Sequence, residues 1–497
     1  MPNTSERFYE KCRAIHDLQE VQQLLEWDMQ VMMPRKGVDQ RGNHQAALAT
    51  AIHEKVTEPG LGGLIDELAA RQDLGIGLAA DVREAKRARD RAVKVPARLV
   101  AERAQVCALA QVAWEEGKKN NDFAGFRPHL EAVLNIVREM ARAIGGDQNP
   151  YDALLDEYEP GMTEGALTAT FSDLRDRLVP LLDKIKGARQ RPSQDLVKRP
   201  YPLAAQEAFS RRVMADMGFD TEAGRMDVSA HPFTNGTFRD VRITTRYQET
   251  FLNMALFGTM HEAGHALYEQ GLDPERYRDP AGQYCSLGIH ESQSRFWENM
   301  IGRSLPFWRR YFPQLKAAFP GVLDGVAEEE FYGAVNVVEP SLIRVEADEV
   351  TYNLHIILRF ELESALLAGK LEAADLPAAW NEKMRSFLGI VPPDDREGVL
   401  QDVHWSVGLI GYFPTYALGN LYSAQFARAM RRDMPDLDER VAAGKLGDVK
   451  AWLNANIHVH GRRYLPQDLC AKVTGEALSA DSALEYLNAK FGEIYGF

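Results

Sequence analysis

Residues 82–122, VREAKRARDRAVKVPARLVAERAQVCALAQVAWEEGKKNND, constrain the fold more than any other stretch. Apolar residues recur at steps of three and four, and Ala, Arg, Glu and Lys fill the positions between them. Pro96 punctuates the run. The same periodicity covers 251–271, 343–369, 417–432 and 483–493, and Gly271 and Gly369 stand where helix-ending glycines belong. A periodic run also follows Thr163. A chain patterned in this way is predicted to be mainly α.

One stretch departs from the pattern. Residues 224–247, GRMDVSAHPFTNGTFRDVRITTRY, are rich in β-branched side chains, with His-Pro-Phe and Thr-Asn-Gly supplying turn chemistry between them. They predict a small antiparallel β hairpin. The stretch 187–202, GARQRPSQDLVKRPYP, is the best internal boundary. It divides a helical part, roughly 1–200, from a part, 201–497, that carries the motifs described next.

The charge balance excludes some functions. A net charge of −14 repels nucleic acid and anionic membranes, and the short basic runs Lys86–Arg91 and Arg428–Arg432 read as solvated helix faces. No window reaches about 18 consecutive apolar residues, so no transmembrane helix is predicted. The four cysteines, at 12, 107, 285 and 470, form no CxxC pair. Free thiols in a reducing compartment are expected, and with no secretory leader pattern the cytoplasm is the expected location.

Chemistry enters at MHEAGHALYE, residues 260–269. His261 and His265 lie four residues apart in a proline-free helical run, so they point the same way. Glu262 is rotated by about 100° from His261, within reach of a water activated there. Leu252, Leu256, Met260, Ala263 and Leu267 form the apolar stripe that would bury the helix. A catalytic zinc needs three protein ligands and one open position. Glu291, in SLGIHESQSRFWENM, follows His265 by 26 residues, enough for a loop and a returning helix. The bland alternative is an amphipathic helix with chance spacing and a Glu291 paired to Arg295.

Around this helix the chain resembles the carboxypeptidase Taq family of metallocarboxypeptidases. The motifs HPF (His231–Phe233), DVRIT (Asp240–Thr244), HESQ (His290–Gln293), IRVEAD (Ile343–Asp348) and GVLQDVHW (Gly398–Trp405) occur in the family's order, and the likeness extends over nearly the whole chain. The resemblance implies a long, two-lobed helical molecule with a deep active-site cleft, akin to neurolysin and angiotensin-converting enzyme. It also implies a homodimer, one zinc or cobalt ion per chain, and removal of single C-terminal residues from peptides with broad specificity. Where several related peptidases carry an acidic residue four positions after the ligand Glu, this chain has Arg295, so another acceptor must orient His261, with Glu298 and the Asp residues of the other motifs as equal candidates.

A carboxypeptidase must grip a free carboxylate, and an arginine fork does this best. Arg344 is the first candidate, with Asp348 at i+4 to steady it. His404 is a candidate for carboxylate or oxyanion binding, and Tyr412 or Tyr416 for donating to the oxyanion. His231 and Arg242 flank the predicted hairpin, where a peptide could add as a strand. Two rivals stay open: an oligopeptidase or peptidyl-dipeptidase using the same chemistry, and a helical binding protein with an inert HExxH.

Overall fold

The computed structural model describes residues 2–497, and among these it contains twenty α-helices and three short strands. The helices break where the pattern predicts. Pro96 separates Ile76–Lys94 from Ala97–Asn120, and the Thr163 hydroxyl caps Glu164–Gly187 by accepting from the Ala166 amide. No helix is long and apolar enough to cross a membrane.

The chain forms two compact units, each from three stretches. Met1–Val93, Ser193–Val335 and Ser423–Ala477 make the first; Lys94–Pro192, Asn336–Tyr422 and Leu478–Phe497 make the second.

The centre of the first unit is the HEAGH helix, Leu252–Gln270. Its stripe of Leu252, Leu256, Met260, Ala263 and Leu267 is fully buried. Each large side chain there contributes about 1.5–3 kcal/mol, an upper figure because the unfolded chain already hides part of that surface. Against this helix lies the sheet, whose strands are β1 (Gly224–Val228), β2 (Thr234–Asn235) and β3 (Val241–Thr245), in the order β1-β3-β2. The Thr259 hydroxyl meets that of Thr245 at 3.1 Å.

The sheet differs from the predicted hairpin. The two β-branched segments, β1 and β3, pair in parallel, with Gly224 opposite Val241 and Val228 opposite Thr245. Only β2 runs antiparallel to β3. The chain reverses twice between β1 and β3, once around His231–Pro232 and once after Asn235. Gly236 opens the second reversal at φ +83°, where a Cβ would strike the Asp240 carbonyl oxygen. Two reversals restore the original direction.

The second unit is built on Thr351–Leu367, a helix buried along most of its length. Three ionisable residues on it, His355, Arg359 and Glu363, have no exposed surface, so each must find a partner inside the core. The helix does not begin at 343. Arg344–Glu346 is a 3-10 turn, and Asp348 caps the helix by accepting from the amides of Val350 and Thr351 and the Thr351 hydroxyl. The expected Arg344–Asp348 pair therefore does not form. An aspartate before a helix start is drawn to the orphan amides rather than to a side chain one turn back.

Candidate metal centre

His261 and His265 sit one turn apart on the HEAGH helix, ring centroids 5.0 Å from each other. The HESQ helix, Leu287–Arg295, is capped by Ser286 and brings Glu291 to both rings. Glu291 Oε2 lies 3.5 Å from His261 Nε2 and 3.4 Å from His265 Nε2. This convergence needs close helix packing, and Gly264 permits it. A Cβ at position 264 would sit 2.6 Å from the Gln293 carbonyl oxygen and 2.7 Å from Ser294 Cα, both backbone atoms. The glycine inside HEAGH is where the backbones of the two helices touch.

The outer nitrogens of both rings are engaged. His261 Nδ1 is 2.9 Å from Glu298 Oε2, and Arg295 and Arg303 donate to the same carboxylate. Glu298 stands on a π-helical continuation of the HESQ helix, Phe296–Gly302. On the other side, His265 Nδ1 is 2.5 Å from His290 Nδ1, and His290 Nε2 is 2.8 Å from Glu269 Oε1. His290 itself is thus outside the ligand group.

Charge follows from these contacts. Burial opposes the charge on Glu298, but Arg295 and His261 outweigh it and bring its carboxyl down to about 2. Glu291 is likewise held far below the usual carboxylate range, burial being overcome by Arg295 and His261. Burial, with the neighbouring His290, pushes His265 down to about 3, so its ring is neutral and carries a lone pair. His261 moves the other way, because Glu291 and Glu298 outweigh its burial. Two imidazole nitrogens and a carboxylate oxygen, all within 4.8 Å of one another, form a donor set suited to a divalent cation with one position left for water.

Glu262 faces the strands. The Thr234 hydroxyl of β2 donates to Glu262 Oε2 at 2.7 Å, while burial raises the carboxyl's pKa. A buried carboxyl with a raised pKa is suited to taking and returning a proton. His231 is exposed on the β1–β2 connection. The fork of Arg242 is bonded to Asp240 at 2.8 and 3.0 Å, and its guanidinium lies 4.3 Å from the Trp27 ring centre.

The second unit gathers Arg344, His404, Tyr412 and Tyr416. Arg344 is buried. Its Nε and Nη2 donate to Asp402 Oδ1 at 3.1 and 2.8 Å, and its Nη1 to the Tyr352 hydroxyl at 3.2 Å. Asp402 is shared with Arg359, at 2.7 Å from Nε, and Gln401 bonds both the Arg344 amide and Arg359. Two buried guanidiniums around one carboxylate leave an excess positive charge. His404 stacks on Phe413 with centroids 4.4 Å apart, its Nε2 3.4 Å from the Tyr416 hydroxyl. Burial lowers its pKa to about 4. Tyr412 packs edge-on against Tyr158, with centroids 5.2 Å apart. The loop carrying His404 is tied down by Glu363, which accepts from Trp405 Nε1 at 2.8 Å, the Tyr151 hydroxyl at 2.9 Å and the Gly411 amide at 3.1 Å.

Sequence reasoning missed Thr234, Glu269 and Arg359. Arg359 and Glu363 carried a signal, being two charges four apart within the apolar run NLHIILRFELESALL. Thr234 and Glu269 carried none.

Residues 7–491 match the sequence pattern of the Carboxypeptidase Taq (M32) metallopeptidase family. Thermostable carboxypeptidase 1 of Thermus thermophilus is 47% identical, with 95% of each chain covered. Carboxypeptidase 1 of Bacillus subtilis is 38% identical over 98% of each. The crystal structure of an M32 carboxypeptidase from Deinococcus radiodurans superposes with a TM-score of 0.96 at 40% identity, covering 99% of this chain and all of that one.

Proposed function

The chain belongs to the carboxypeptidase Taq family of metallopeptidases, and from that premise we propose that it releases single residues from the C-terminus of peptides, with His261, His265 and Glu291 holding one Zn2+ and Glu262 as the base. The observation that carries the reading is the convergence of two Nε2 atoms on one carboxylate oxygen while both Nδ1 atoms are bonded outward. Nitrogen and carboxylate donors in this number favour zinc, with cobalt an acceptable substitute.

When bound, such a cation polarises the scissile carbonyl and acidifies water beside it. The remaining work falls to side chains. Thr234 occupies Oε2 of Glu262 and leaves Oε1 to accept a proton from the attacking water. The same oxygen then delivers the proton to the departing amine. His404 or one of Tyr412 and Tyr416 donates to the oxyanion. Arg344 contributes the grip on the terminal carboxylate. The excess positive charge that it shares with Arg359 around Asp402 supports an anion-binding role. His231 and Arg242 line the path of the peptide. Free cysteines fit the cytoplasm, and the active form is a homodimer, which sedimentation of the purified protein tests.

The deciding experiment measures metal content and turnover on one sample, with a free-acid peptide and its C-terminal amide. Wild type should cleave the free acid and spare the amide. Glu262→Gln should keep the metal and lose turnover, because an amide cannot take the proton. Equal cleavage of both peptides would make the enzyme an oligopeptidase. Metal loss in Glu262→Gln would remove Glu262 from its role as base.

A further inference from the structure

We infer that His290 and Glu269 are positioning residues that set which nitrogen His265 turns toward the metal. The inference rests on the metal-binding reading above.

The relay runs in one direction. Glu269 is a carboxylate and only accepts, so the ring nitrogen 2.8 Å from it, His290 Nε2, carries hydrogen. With Nε2–H given to Glu269, His290 offers Nδ1 to His265 as an acceptor. His265 Nδ1 stands 2.5 Å from it and must supply the hydrogen between them. That leaves the lone pair of His265 on Nε2, the atom facing Glu291 Oε2 at 3.4 Å. A ligating histidine whose other nitrogen is held by an acceptor is locked in tautomer and in ring angle.

Each element of the relay is fixed in turn. Glu269 Oε2 accepts from the Thr237 hydroxyl at 2.8 Å, which anchors its carboxylate to the turn between β2 and β3. The His290 ring lies beside His265, with centroids 4.6 Å apart and planes inclined by 32°, and edge-on to Tyr284 at 4.8 Å.

The two histidines are therefore served differently. His261 bonds a carboxylate directly, whereas His265 meets its carboxylate through an imidazole. Glu262, Glu291 and Glu298 already crowd the centre with acid groups. An interposed ring passes on orientation without adding another adjacent negative charge.

Leucine and asparagine have the same branched shape, but only asparagine carries an oxygen close to where His Nδ1 stands. The test compares His290→Leu with His290→Asn, measuring the Zn2+ dissociation constant by chelator competition and the melting of the metal-free protein. His290→Leu should weaken zinc binding about 10–100-fold, the usual effect of removing such a support, while His290→Asn stays within about threefold of wild type. Equal affinities in both variants and wild type would overturn the inference. Equal weakening in both would also overturn it, by assigning His290 to packing. If His290→Leu does not fold, Glu269→Met removes the far end of the relay and should weaken zinc several-fold, with unchanged affinity refuting it. His265→Ala is the control: zinc bound there at wild-type affinity would refute the metal reading itself.

Discussion

Replacing Gly264 with alanine places a methyl group against backbone. The new Cβ would lie 2.6 Å from the Gln293 carbonyl oxygen and 2.7 Å from Ser294 Cα. Ordinary contact begins at about 3.4 Å, so the HEAGH and HESQ helices must part there by about 0.8 Å. No side chain can swing aside to relieve the clash. Glu291 rides on the same helix two residues earlier, and metal-ligand distances tolerate only about 0.2 Å, so the displacement is about four times the tolerance. Overpacking of this kind costs about 1–3 kcal/mol of stability. Metal affinity should fall at least about tenfold, because the ligand geometry is lost as well. Chelator competition reads the affinity, and thermal melting with and without metal reads the stability. The wild-type protein should gain more from added metal than Gly264→Ala does. A variant with wild-type affinity and melting would show that the helices are not held by this contact, and the account of how Glu291 reaches the histidines would fail.

Three further outcomes are expected. Arg344→Ala should lower kcat/KM on free-acid peptides about ten- to several-hundred-fold, from a charge-assisted bond of about 1.5–3 kcal/mol, with the metal retained. Asp402 keeps Arg359 as a partner, so the fold should survive, and equal slowing of free-acid and amidated peptides would place the grip elsewhere. Thr234→Val should cut kcat about tenfold with KM and metal content unchanged, and Thr234→Ser should restore it. A fall in metal content instead would make Thr234 a support of the centre. Burial raises the Glu363 carboxyl to about 7, above its ordinary value of about 4.3, so the folded state holds this proton more tightly than the unfolded state. The stability it contributes is complete below the ordinary value and is lost as pH rises through about 7. The melting advantage of wild type over Glu363→Gln should therefore shrink from pH 5 to pH 8, and a constant gap would contradict the assignment.

Local pattern made much of this legible. The HEAGH helix announces itself through period and spacing, and Glu291 through a gap long enough for a loop and a returning helix. Contacts that depend on direction were not legible. The β1 and β3 segments look alike whether parallel or antiparallel, and only the two-residue β2 between them decides the matter. Asp348 sits four residues after Arg344, yet helix-start amides claim it, and the arginine finds Asp402, 58 residues further on. Glu298 was recognisable as an acceptor candidate, whereas the His290–Glu269 relay joins two helices and a turn that no periodicity links.

The three-stretch construction of the first unit bears on how the protein is made. The metal motif spans only 31 residues, His261 to Glu291. The HESQ helix, however, is held by His458, whose Nε2 lies 2.8 Å from Gln293 Oε1, and His458 also packs against Gly271 at the end of the HEAGH helix. His458 lies in the last-made of that unit's three stretches. At about 5–20 residues per second, the chain from residue 93 to residue 477 takes roughly 20–80 s to appear. Residues 1–93 can meanwhile bury Phe8, Cys12, Leu61, Leu64, Ile65, Leu68 and Val82 against one another, so their own cluster does not wait for the later stretches. Translation thus adds the His458 contact on the HESQ helix only long after His261, His265 and Glu291 have been made.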